Sequence, residues 1–222
     1  MKIEQKLKIL TEKIEDERGK RVMFVSHCIL NENTRYLGGA FRRGCIDEIV
    51  DKLQNEGIGI VQLPCLEQEY WGGIPKKDIM RAYGSKGTLP YLLYKFFLNA
   101  WIWNTKRKYR TLAKKIRLNI EDYLKSGIKV LGFIGVNGSP SCGVNKTLSI
   151  KTSFDKVAEV DVNNITREES NKIILDSIIN GNGYFIQELK RELKRKNIEI
   201  KFYGHDLLAE MRGEEIRMEW SS

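Results

Sequence analysis

No stretch of this sequence is apolar for long enough to cross a bilayer. The longest candidate, Leu89 to Trp103, is interrupted by Lys95 and Asn99. The first residues, Met1-Lys2-Ile3-Glu4-Gln5-Lys6, mix charges of both signs and lack the apolar core of a signal peptide. A cytoplasmic protein without a membrane partner is therefore expected. Cysteine is scarce, at four residues, and in a reducing compartment such thiols point to metal or catalytic use and away from a disulfide framework. Nor do they pair. There is no C-x₂₋₄-C unit for structural zinc, and the C-x₂-C-x₂-C spacing of an electron-transfer ferredoxin is missing. Histidine is scarcer still: His27 and His205 are the only two. Internal repeats and low-complexity tracts are absent.

What is present suits one domain spanning 1–222. A hydrophobic fraction of 41% supplies a buried core and excludes a disordered chain. The formal net charge of +9 favours anionic partners such as nucleotides or RNA. Lys- and Glu-rich surfaces are equally common on heat-tolerant proteins, so charge alone selects no ligand.

Apolar periodicity organises the chain. Residues 2–17 predict a charged helix with Ile3, Leu7, Leu10 and Ile14 near helical spacing. Short apolar runs at Val22–Val25, Ile58–Leu63 and Val130–Val136 suit buried parallel strands, and Ile198–Tyr203 reads as a fourth. Helical patterns separate them: Ile46, Ile49, Val50 and Leu53 form one stripe, and 168–195 forms another. This alternation predicts an α/β fold, an open, mainly parallel, Rossmann-like sheet flanked by helices. Residues 76–126 stand out as a long basic, aromatic-rich helical insertion, read as a lid or side layer.

The cysteines are the most informative feature. Cys28, Cys65 and Cys142 each follow the carboxyl end of a different predicted strand, the edge at which open parallel sheets bind ligands. Three thiolates suit a soft metal. Held by three cysteines, a 4Fe–4S cluster would keep one iron without a protein ligand, as catalytic metal sites do. The plainer alternative is three unrelated buried cysteines. Cys45, on the helical stripe, reads as a core residue.

Three stretches then resemble one known family, the thiouracil desulfidases and their relatives. Ser26-His27-Cys28-Ile29-Leu30 with Asn33-Thr34-Arg35-Tyr36 is similar to that family's Cys followed by an Arg-Tyr pair. Pro64-Cys65-Leu66-Glu67 with Gly72-Gly73-Ile74-Pro75 is similar to its Cys-Pro-Glu and Gly-Gly-Leu-Pro motifs, with Leu66 where the family has proline. Ser139-Pro140-Ser141-Cys142-Gly143 is the same as its Ser-Pro-Ser-Cys-Gly signature. The resemblance covers roughly 28–143 and implies a 4Fe–4S cluster on Cys28, Cys65 and Cys142. It also implies a non-redox desulfuration that replaces a thiolated base's sulfur by water's oxygen and releases sulfide. Glu67 and Ser139 match the family residues implicated in proton handling. Chemistry gives those roles a reason. A thiocarbonyl bound to iron through sulfur is activated as by a Lewis acid, and attack by water needs a base nearby. Ser139 or Ser141 could hold the ring, relay a proton or orient the water. The plainer alternatives are a solvated Glu67 and a Ser139 that merely shapes a turn before proline.

Other residues carry smaller expectations. Tyr70 and Trp71 could stack on a base or simply pack. His27 could bond cluster sulfide, His205 could support the site from behind, and Arg35 could hold an anionic group. Cys142 could instead be a hydrolase nucleophile with an oxyanion hole in the Gly138–Gly143 loop, although neither histidine is an obvious base. Gly135 to Pro140 also resembles a flavodoxin-like phosphate loop, displaced to the third strand. Finally, Lys106-Arg107-Lys108-Tyr109-Arg110, Lys114, Lys115 and Arg117 beside Trp101 and Trp103 form a candidate RNA surface.

Overall fold

The computed structural model describes residues 2–14 and 16–214. In chain order the elements are α1 (Ile3–Lys13), β1 (Arg21–Val25), α2 (His27–Leu30), α3 (Asp47–Asn55), β2 (Gly59–Gln62), α4 (Leu66–Tyr70), α5 (Lys77–Met80) and α6 (Leu89–Lys125). There follow β3 (Lys129–Asn137), β4 (Lys146–Leu148), α7 (Ile150–Ala158), α8 (Arg167–Leu175), β5 (Ile178–Asn180), α9 (Tyr184–Lys194), β6 (Lys201–Asp206) and α10 (Leu207–Arg212). The main sheet has the order β2-β1-β3-β6, and every pair in it is parallel. An antiparallel pair, β4 and β5, stands apart.

The central strands β1 and β3 are covered on both faces, which is why they read as continuous apolar runs. By contrast β2, expected to be buried, lies at the sheet edge with none of Gly59–Gln62 buried. In β1 the side chains alternate. Val22 and Phe24 join the layer formed by α6 and α9, whereas Met23 and Val25 join the layer containing Ile49 and Leu53 of α3. In β3 the alternation slips by one residue: Val130 and Phe133 face α6, and Leu131, Ile134 and Val136 face α3. A β-bulge causes the slip, because Val22 pairs with Val130 but Met23 pairs with Gly132.

Two expected elements differ in extent. The helical stretch 168–195 is broken into α8, β5 and α9. Asn180-Gly181-Asn182-Gly183 interrupts it, and three residues of strand are too few to register as an alternating pattern. The fourth strand starts at Lys201, three residues later than its apolar run, because pairing with Gly132–Asn137 sets its bounds. Ile198 and Ile200 pack on the core without joining the ladder.

The segment 76–126 is dominated by α6, 37 residues and about 55 Å long at 1.5 Å per residue. Thr88 caps it by accepting from the Tyr91 amide. Its later half packs on the sheet through Tyr109, Leu112, Ala113, Ile116 and Ile120. Its earlier half runs on to α7, where Tyr91 stacks on Phe154 at 5.7 Å between ring centroids. Among the described residues no helix is long and apolar enough to cross a membrane.

Candidate active site

Neighbouring strands β2, β1 and β3 are parallel, so they release their chains at one edge. Each delivers a cysteine there. Cys28 is the second residue of α2, just past Val25, Cys65 precedes α4, and Cys142 lies in the loop after Asn137. All three line one cavity of about 120 Å³ together with His27, Arg35, Glu67, Lys76, Ser139 and Ser141. Burial pushes the Cys28 thiol up to about 12, and the neighbouring Cys65 opposes its ionisation further. Burial likewise raises Cys65, and it lifts Cys142 well above the ordinary thiol range. A thiolate nucleophile needs a shift in the opposite direction. A bound cation would supply the compensating charge, since metal binding drives thiol deprotonation. Among the described residues no three His, Cys, Asp or Glu side chains close around a single ion.

The Cys142 loop is tied down by its own motif. Ser139 Oγ accepts from the amides of Ser141 at 3.2 Å and Cys142 at 3.0 Å. Asn137 Oδ1 accepts from Val144 at 3.2 Å and Asn145 at 3.0 Å. From outside the motif, Tyr184 and Phe185 at the start of α9 donate to the Pro140 and Ser141 carbonyls at 2.8 and 3.1 Å. Gly183 permits this approach: a Cβ there would collide with the Ser141 carbonyl. The C-terminal third, which carries no motif, thus holds the signature loop in place.

Glu67 is the polar centre of the site. Its Oε1 accepts from Ser139 Oγ at 3.1 Å and from Ser141 Oγ at 3.2 Å. Ser141 thereby spends its only hydroxyl proton, so in their 2.8 Å contact Tyr109 must donate to Ser141. The result is a directed relay from Tyr109 through Ser141 to Glu67. Lys76 Nζ stands 3.8 Å from Glu67 Oε2 and donates to the Thr34 carbonyl at 2.6 Å, joining the Cys65 segment to the Cys28 loop. Lys76 is only 4% exposed, and its φ of 52° lies in the left-handed region. A bulky residue rarely sits there unless its surroundings hold it. Lys76 and the role of Tyr109 escaped the sequence reading. The signal for Lys76 was its place directly after Gly-Gly-Ile-Pro.

Several expectations are corrected. Cys45 is not a core residue: it precedes α3, is partly exposed and donates to the Asp47 carboxylate at 3.0 Å, while Ile46 takes the core position. His205 lies within β6 opposite Val136 and donates from Nε2 to Glu210 at 2.6 Å, away from the cavity lining. The Arg35 guanidinium lines the cavity, but Glu32 at 3.0 Å and Glu210 at 2.6 Å already neutralise it. His27 donates from Nδ1 to the Leu63 carbonyl at 3.3 Å. Tyr70 packs on Tyr109, and Trp71 is buried against Trp101. The basic cluster on α6 is partly engaged within the chain. Arg110 pairs with Glu188, Arg117 with Glu121, and Lys106 and Lys108 lie over the rings of Tyr184 and Tyr70. Tyr109, expected among its exposed aromatics, is fully buried.

Fold and site together define an open parallel α/β domain with a thiol-lined cavity at the carboxyl edge of its sheet. The chain is similar to an uncharacterized protein of Methanocaldococcus jannaschii, 28% identical over 151 residues, covering 65% of this chain and 83% of that protein. No family profile matches the chain, and no solved structure does.

Proposed function

We propose that this protein is a desulfidase that hydrolyses the thiocarbonyl of a thiolated nucleobase or related small thio-compound. One observation carries the reading: the three motif cysteines line the same cavity as a carboxylate held by both serines of the Ser-Pro-Ser-Cys-Gly signature. The donor set fits a 4Fe–4S cluster. Three thiols that share one cavity and are raised by desolvation call for a compensating cation, Cys45 is not in the cavity lining, and among the described residues no set of three side chains suits a single ion. When bound through Cys28, Cys65 and Cys142, such a cluster supplies an iron with an open position, a Lewis acid for a thiocarbonyl sulfur.

The remaining work falls to the chain. Glu67 takes a proton from the attacking water. Ser139 and Ser141 orient its Oε1, and Tyr109 fixes the direction of the Ser141 proton. Lys76 balances the charge on the other carboxylate oxygen. In net terms a C=S bond and water become C=O and hydrogen sulfide, with no electron transferred.

Anaerobic reconstitution with iron and sulfide, followed by a screen of thiolated bases and nucleosides for sulfide release, tests this. The expected protein is brown, absorbs near ~400 nm, and loses both cluster and activity when Cys28, Cys65 or Cys142 is replaced by Ala. Cys45→Ala retains both. A colourless protein after reconstitution, or a Cys142→Ala variant that keeps its cluster, overturns the reading.

A further inference from the structure

We propose that the first half of α6 is a docking face for a second copy of this chain, paired antiparallel with its own counterpart across a two-fold axis. Leu89, Leu92, Leu93, Phe96, Phe97 and Trp103 are exposed large hydrophobics, with Phe96 78% and Trp103 65% exposed. At helical spacing they fall on one side of the helix, opposite the buried Tyr91, Ile102, Thr105 and Tyr109. This helix is thus apolar on both sides, and one side has no cover among the described residues.

Area identifies the occupant. Taking about 150–250 Å² for an aromatic side chain and somewhat less for leucine, these exposures leave roughly 700 Å² of apolar surface in water. That exceeds the largest patch of a typical monomer, about 300–600 Å². It approaches the ~800 Å² that each partner buries in a stable interface. Composition agrees, because interface cores are rich in aromatics and poor in charge.

Charge argues against an anionic lipid surface, which would need unengaged cations along the stripe. Lys95 Nζ is 2.9 Å from Asp155, and Lys86 pairs with Glu159, so the flanking lysines are answered by carboxylates of the same chain. Symmetry completes the case. Phe96 is the midpoint of the stripe from 89 to 103, so an antiparallel pair brings Phe96 against its own copy and small Leu89 against large Trp103. The stripe of α1, with Ile3, Leu7, Leu10 and Ile14, is also uncovered but has no aromatic residue, and it serves as the control.

The experiment is sedimentation equilibrium of the full chain over a wide concentration series. The expected mass is twice the 25.7 kDa of one chain. Phe96→Glu, at an exposed position that the fold does not depend on, should weaken the dimer by at least about 100-fold, because like charges then meet at the axis. Its circular dichroism and melting should be unchanged. In a Cys45→Ser background, Phe96→Cys should form a disulfide-linked dimer on oxidation. A wild-type chain that stays monomeric overturns the proposal. So does a dimer that survives Phe96→Glu but is lost with Leu7→Glu, or a monomer that sediments with phosphatidylglycerol vesicles.

Discussion

Glu67 receives two hydroxyl protons on one oxygen and faces an ammonium with the other, so its carboxylate is fixed in orientation while still partly open to the cavity. Glu67→Gln preserves shape and removes only the ionisable group. On the proposed desulfidase reading, the variant should still take up a cluster on reconstitution and bind substrate nearly as well, while turnover falls about 10²-fold or more and the pH–rate profile loses its carboxylate limb. Sulfide release measured after cluster content is matched decides this; normal turnover removes Glu67 from the chemistry. Lys76 is the complementary case. Lys76→Met leaves the buried Thr34 carbonyl without its donor and Glu67 without its nearest cation. A loss of about 1–3 kcal/mol in unfolding free energy is expected, the usual cost of an unsatisfied buried polar group. An unchanged denaturation midpoint would make Lys76 incidental.

At the scale of elements, the signature loop is a small structure suspended from others. Its serine accepts amide protons inside the motif, β3 ends in the Asn137 staple, and the start of α9 donates to its carbonyls. The contact with α9 depends on Gly183, where any side chain meets the Ser141 backbone. Gly183→Ala should therefore shift the loop without unfolding the domain. The measurement is iron bound per chain after reconstitution, expected to fall several-fold while far-ultraviolet circular dichroism is retained. A full iron complement would show that α9 is not what positions Cys142.

Across the molecule, a buried ionic network ties the Cys28 loop to the C-terminal α10. Glu210 accepts from Arg35, Arg42 and His205, each at 2.6 Å. Burial alone would raise the Glu210 carboxyl, but the bonds from His205 and Arg35 outweigh it and hold the group at about 2. A carboxylate depressed in the folded state stabilises the fold above its unfolded value, near 4.5, and loses that contribution as pH falls toward about 2. The shift corresponds to about 3 kcal/mol. Glu210→Gln should thus be less stable than wild type at neutral pH, and the two melting curves should converge as pH drops through that window. A gap independent of pH would mean that the network acts by packing alone.

Much of this was written locally. Apolar runs in β1 and β3 announce strands buried on both faces, because a sheet covered on both sides leaves no room for polar alternation. The run at β2, by contrast, became an edge strand with none of its four residues buried. The cysteines after those runs announce the site, because parallel strands discharge their chains at one edge. Glu67 and Ser139 were singled out by their match to the motifs of the family that the sequence resembles, within a few residues of Cys65 and Cys142. Tertiary structure decided what depends on partners distant in sequence. Lys76 reaches Thr34 and Tyr109 reaches Ser141, 42 and 32 residues away, and no local pattern encodes such meetings. Cys45 left the core because α3 begins at Asp47 and turns Ile46 inward in its place. His205 left the site because pairing with Val136 commits it to a strand and to Glu210. Periodicity reports which faces of an element are apolar, but only packing determines which of them is covered. That is why the apolar stripe of α1, at helical spacing in the sequence, and that of early α6 are uncovered among the described residues.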